Sequence, residues 1–105
     1  MSTSATTTTV VRYTTRPDQA DENQRLIEAV FAELAADRPE GLDYASYRLA
    51  DGVSFVHVAT LHTDDGANPL TATAAFAEFT RDIGARCIEG PAALTASTVG
   101  SYRAA

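Results

Sequence analysis

The segment Val53–His62, VSFVHVATLH, sets the strongest limit on how this chain can fold. Its β-branched and aromatic residues are those of a strand, where successive side chains point to opposite faces. Val53, Phe55, His57, Ala59 and Leu61 therefore share one face, and Ser54, Val56, Val58, Thr60 and His62 the other. Both faces carry apolar groups. Such a strand belongs in a sheet covered on both sides, first by helices of its own chain and, where those run out, by a partner subunit.

The flanking sequence supplies the other elements. Thr8–Thr15, TTVVRYTT, is a first strand that stops at Arg16-Pro17, where proline removes a donor and holds its predecessor extended. Leu26, Ile27, Val30, Phe31 and Leu34 then recur at helical spacing, with Glu22, Arg25, Glu28 and Glu33 on the opposite side. Acidic residues at its start (Asp18, Asp21) and Arg38, Pro39 and Gly41 at its end bound a helix from about Gln19 to Asp37. Leu42–Leu49 is a second strand, joined to Val53–His62 by an Asp51-Gly52 hairpin turn. Asp64-Asp65-Gly66 reads as a solvated turn, lacking the alternating oxygen ligands of a calcium loop. Asn68-Pro69 predicts the start of a second helix with the stripe Ala72, Phe76, Phe79, Ile83 and Cys87, ended by Gly90-Pro91. Leu94–Tyr102 is expected as the fourth strand.

The order strand, helix, strand, strand, helix, strand is a split β-α-β pair, which predicts a ferredoxin-like α+β sandwich: a four-stranded antiparallel sheet with two helices on one face. Residues 8–105 form one domain, and residues 1–7, rich in Ser, Thr and Ala, a flexible tail. Of the 105 residues 45% are hydrophobic, but 20 are alanine and only 22 are Val, Leu, Ile, Phe or Met, so a lone sandwich has little with which to cover its outer sheet face. A homodimer through that face follows as the expectation.

Charge and cysteine exclude several classes. Eight arginines and no lysine against 14 carboxylates give a net charge of -6, the wrong sign for nucleic acid. Cys87 is alone, so neither an intrachain disulfide nor a thiolate zinc cluster is expected. No apolar run is long enough for a membrane span and the N-terminus lacks a secretory pattern, so a cytoplasmic, membrane-free protein is expected.

The element order, the small acidic chain and the segment FVHVATLHTDDGANPLTATAAFAEF resemble the dimeric α+β barrel superfamily, in particular the antibiotic-biosynthesis-monooxygenase-like domains. The matching features are Phe55 at the start of the third strand, the Asp64-Asp65 turn, and Phe76 and Phe79 on the second helix. The resemblance implies two subunits paired through their sheets into a dimeric α/β barrel, each with a cavity between its own sheet and helices. Some members oxygenate phenolic or quinol substrates without a cofactor, some degrade haem, and many have no assigned activity. Catalytic members often carry a polar residue and a tryptophan four residues apart on the third strand. Here those positions are His57 and Leu61; the chain has no tryptophan, and no histidine stands on the second helix.

His57 is the main chemical candidate. In an apolar cavity its imidazole is held neutral and can act as base or hydrogen-bond partner toward a phenolic substrate; the alternative is a core histidine with its hydrogen bonds satisfied. Tyr47 is the second candidate, holding a substrate oxygen if its face joins the cavity. Phe31, Phe55, Leu61, Phe76 and Phe79 are the expected walls. Tyr44, Ser46 and Arg48 share the other face of the second strand, and Asn23 is a weaker polar candidate with solvent as its alternative. His62 lies five residues beyond His57, on the opposite strand face, so the two cannot share a metal, and none is expected. Cys87 reads as a small core residue. The expected function is cofactor-independent monooxygenation of a small aromatic or polyketide-like substrate, and the alternative is a non-catalytic ligand-binding or structural module of the same fold.

Overall fold

The structure is a computed structural model that describes residues 6–63, 65–102 and 104. β1 (Thr7–Thr15) leads through a single 3-10 turn at Pro17–Gln19 into α1 (Ala20–Asp37). β2 (Leu42–Arg48) and β3 (Ser54–Leu61) form the hairpin; α2 (Ala74–Thr80), α3 (Ile83–Arg86) and β4 (Cys87–Ala96) follow. All neighbouring strands are antiparallel, in the order β2-β3-β1-β4. The architecture is the ferredoxin-like α+β sandwich. Of the expected tail, residues 1–5 lie outside the described residues, and β1 begins at Thr7. Asp64 of the acidic turn is likewise outside them.

Local chemistry explains most boundaries. α1 closes where Arg38 turns left-handed at φ 49 and its N–H reaches the Leu34 carbonyl at 2.7 Å, and Pro39 prevents continuation. Gly41 follows at φ +82, where a Cβ would lie 2.8 Å from the Thr63 methyl, so no other residue fits without movement. The hairpin turns on Gly52 at φ +79, with the Asp51 carboxylate accepting from the N–H groups of Val53 and Ser54.

Three expectations need correction. The second helix does not begin at Asn68-Pro69: the Asn68 side chain caps only a turn, accepting from the N–H groups of Leu70 and Thr71. The helix starts after Thr73, whose hydroxyl accepts from Phe76 N–H, and Glu33 of α1 accepts from the N–H groups of Ala74 and Ala75. Nor does Gly90-Pro91 end a helix. Cys87 already begins β4, and the register passes from Thr14 opposite Glu89 to Arg12 opposite Ala92, so Gly90 and Pro91 bulge opposite Tyr13 alone. A bulge on an edge strand is where proline, with no N–H to donate, is tolerated. The expected strand Leu94–Tyr102 is displaced accordingly; only Leu94–Ala96 belongs to it, and Tyr102 is exposed.

The core lies between one sheet face and the helices. Tyr13, Leu26, Ile27, Val30, Phe55, Leu70, Phe79 and Cys87 are its buried members. The face Phe55, His57, Ala59, Leu61 of β3 looks toward the helices. The other face carries half-buried Val56 and Val58, paired across the sheet with Tyr47 and Ala45 of β2 and with Arg12 and Val10 of β1.

Candidate functional site

A cavity of about 330 Å³ opens between the helix-facing side of the sheet and the segment carrying α2 and α3. Apolar walls come from Val11, Leu61, Leu70, Phe76, Phe79 and Ile83, and Tyr13, Tyr44 and His57 stand among them as polar groups. The volume is near the lower end of the range of ligand sites, ~300–1,000 Å³.

Strand register assembles the polar group. Val11 and Tyr13 of β1 and His57 of β3 lie on the inner face, and Ser46 is directly opposite His57 in the β2–β3 ladder. Tyr13 Oη lies 2.7 Å from His57 Nε2; Tyr44 Oη and Ser46 Oγ lie 2.8 and 2.6 Å from Nδ1. The rings of Tyr13 and His57 stack with centroids 5.4 Å apart, and Tyr44 stacks on the other side at 6.0 Å. Both imidazole nitrogens are thus engaged within the protein.

The chain of polar groups continues away from the cavity. Asn23 of α1, fully buried, donates from Nδ2 to Tyr13 Oη at 2.8 Å. Arg86, also buried, donates from Nε to Asn23 Oδ1 at 3.1 Å and from Nη2 to the Phe79 carbonyl at 2.5 Å, with its guanidinium over the Phe79 ring. Arginine can only donate, so the Asn23 oxygen must face Arg86 and its amide nitrogen must face Tyr13.

Burial dominates the titration of these groups. Desolvation lowers His57 from its ordinary 6.5 to about 4, so the imidazole is neutral at pH 7. The phenols of Tyr13 and Tyr44 are raised by burial, partly opposed by hydrogen bonds from Asn23 and Ser46 respectively, and both remain protonated. Burial also raises the Cys87 thiol against the opposing pull of Arg86, which makes it a core group rather than a nucleophile.

Of the expected site residues, the cavity brings together His57, Leu61, Phe76 and Phe79. Tyr47 is not among them. Ser46 faces His57, so its neighbour Tyr47 necessarily points to the outer sheet face, where it is 56% exposed. Phe55 has the expected inward direction but is 1% exposed and packed against Tyr13 (centroids 5.6 Å apart), below the cavity rather than on its wall. Phe31 stacks on Tyr44 at 5.0 Å and borders two shallower hollows beside α1 instead. His62 points to the other end of the β2–β3 edge and meets Asp43 at 2.8 Å. Among the described residues no group of three His, Cys, Asp or Glu side chains could hold a metal.

Tyr13, Tyr44, Ser46 and Arg86 are the members that sequence reasoning left without a site role, and Asn23, a weaker polar candidate with solvent as its alternative, is fully buried. Asn23 carried a signal: it stands three, four and seven residues before Leu26, Ile27 and Val30, on the stripe that α1 buries. Arg86 carried none: it closes the four-residue α3 immediately before β4, where one continued helix was expected.

No protein-family model matches the sequence, and no curated protein does. Solved structures share its fold. Rv0793 of Mycobacterium tuberculosis superposes with a TM-score of 0.74 at 16% identity, covering 94% of this chain and 100% of its own. A Nitrosomonas europaea protein provisionally named an antibiotic biosynthesis monooxygenase superposes at 0.73 with 14% identity, covering 94% and 95%. PA3566 of Pseudomonas aeruginosa superposes at 0.71 with 19% identity, covering 94% and 100%. The chain therefore has the α+β fold of the antibiotic-biosynthesis-monooxygenase-like structures. Among the described residues no helix is long and apolar enough to cross a membrane.

Proposed function

We propose that the protein binds a small oxygen-bearing aromatic in the cavity between its sheet and helices, and oxidises it with dioxygen without a bound cofactor. The observation that carries this is an apolar chamber in which Tyr13, His57 and Tyr44 form a single polar cluster. Flat apolar walls take the ring, and the cluster takes its oxygen. A phenol entering as its phenolate can pass an electron to dioxygen; recombination forms a ring C–O bond and loss of water leaves a quinone. One oxygen atom of dioxygen enters the ring and the other leaves as water; one hydrogen of that water comes from the substrate's ring C–H, the other from solvent in place of the proton lost when the phenol ionised. His57 is suited to hydrogen bonding rather than to taking the substrate proton, since burial weakens it as a base and Tyr13 engages Nε2.

A second copy of the chain on the outer sheet face completes the proposal, because among the described residues nothing covers Val10, Val56, Val58, Tyr47 and Leu94 there. The test is oxygen uptake by the purified protein with a panel of phenols and quinols, alongside Tyr44→Phe. Uptake that yields a quinone and falls at least tenfold in the variant is expected. Binding without uptake would instead support a non-catalytic ligand-binding module, the reading favoured by the absence of tryptophan and by the fully engaged His57. Neither binding nor uptake would overturn both.

A further inference from the structure

The hydrogen-bond chain from Arg86 to Tyr44 has a direction, and one end fixes it. Arg86 turns the Asn23 oxygen toward itself, so Asn23 Nδ2–H must donate to Tyr13 Oη. With that lone pair engaged, the Tyr13 hydrogen needs an acceptor, and in this buried setting His57 Nε2 at 2.7 Å is the acceptor in reach. His57 is then the Nδ1–H tautomer, and Nδ1–H is shared between Tyr44 Oη and Ser46 Oγ at 2.8 and 2.6 Å. A protonated nitrogen offers no lone pair, so Tyr44 cannot donate to it; Ser46 donates its hydroxyl to Tyr44 Oη, and the Tyr44 O–H is left for the cavity it lines.

We propose that Asn23, one side chain removed from the cavity, sets its ligand preference: by fixing the direction of the Asn23–Tyr13–His57–Tyr44 chain it makes Tyr44 a hydrogen-bond donor, so the cavity selects aromatics that present an acceptor oxygen, a ketone, quinone or phenolate, over those that must donate. This rests on the cavity being a site for aromatic ligands, as proposed above. Asn23 is a positioning residue, since it touches Tyr13 and not the ligand. Asn23→Asp should reverse the chain. A carboxylate still accepts from Arg86 but can no longer donate to Tyr13; Tyr13 then donates to it, accepts from Nε2–H, and leaves Nδ1 bare to accept from Tyr44. The tyrosine oxygen would then be free to accept from a ligand hydroxyl.

The test uses three ligands of nearly one shape: tetralin, the ketone α-tetralone, and the phenol tetrahydronaphthol, titrated calorimetrically, with 15N NMR of the His57 ring read in parallel. In the wild type we expect Nδ1 protonated and the ketone bound about three- to tenfold more tightly than tetralin, the worth of one hydrogen bond. In Asn23→Asp we expect the proton on Nε2, the ketone's advantage lost and the phenol preferred. Tyr44→Phe, which keeps the ring and needs no buried charge, should erase the ketone's advantage alone. A wild-type proton on Nε2, an unchanged ranking in Asn23→Asp, or equal binding of ketone and tetralin would overturn the proposal. Should none of the three ligands bind, the aromatic-site reading itself falls, while the NMR signal still decides the direction of the chain.

Discussion

A buried imidazole with hydroxyls on both nitrogens couples the site to stability. Because burial lowers His57 from 6.5 to about 4, the folded protein keeps it neutral while the unfolded chain binds a proton below pH 6.5. The unfolded state thus holds more protons between these values, and folding stability falls as pH drops through that window, by up to roughly 3 kcal/mol at its lower end. Comparison with His57→Gln removes the contribution of shared carboxylates: in urea melts at pH 7 and pH 4.5, the wild type's advantage over the variant should shrink toward the lower pH. An advantage that stays constant would mean that the ring is already charged or not buried in the folded state. Tyr13→Phe tests the same network without titration. It strips one oxygen and leaves Asn23 Nδ2 and His57 Nε2 buried without that partner, so a loss of about 2–4 kcal/mol in denaturant unfolding is expected; a change under half a kilocalorie would mean that water or a shifted side chain replaces the hydroxyl.

Elements differ in how openly their residues declare them. β1, β2, β3 and α1 each carry one unbroken periodicity and end at a local breaker, and their ends fall within about one residue of those expected. The stretch from Asn68 to Ala96 carries conflicting signals. Asn68-Pro69 has the form of a helix start but caps a turn, and Gly90-Pro91 has the form of a helix stop but forms a bulge, because pairing with β1 decides the backbone there and no local residue records that pairing. The same displacement hid Arg86, while Tyr47 could not be told from Tyr44 and Ser46 until the register put Ser46 opposite His57. α2 is a further case of distant control: only seven residues long, it has its first amides held by Glu33 of α1. Glu33→Ala should cost about 1 kcal/mol, as lost helix caps do. Hydrogen exchange should quicken at Ala74 and Ala75 with little change in the β-sheet; unaltered exchange there would show that Thr73 alone suffices to hold the helix start.

At the scale of the whole molecule, the feature that constrained the fold from sequence, a third strand apolar on both faces, is half explained by one chain. The inner face, Phe55 through Leu61, is covered by the helices and opens to the cavity, whereas on the outer face Leu94 remains 65% and Tyr47 56% exposed. A few exposed apolar groups need no cause, but these two border a ladder of Val10, Val56 and Val58 at the centre of the sheet, where solvent gains nothing from them. A two-fold pairing of such faces brings the central residues of both copies together. Sedimentation velocity at micromolar concentration should therefore give a dimer. Val58→Glu should weaken it on the order of a hundredfold or more, because each copy then carries an unpaired carboxylate into the interface. Val58 points away from the helices, so the variant's monomer should retain its far-ultraviolet circular dichroism and, if the cavity belongs to a single protomer, its affinity for aromatic ligands. A wild type that sediments as a monomer would remove the dimer from the proposal and leave the cavity standing, whereas a dissociated variant that loses its ligand would show that the second copy holds the cavity in shape.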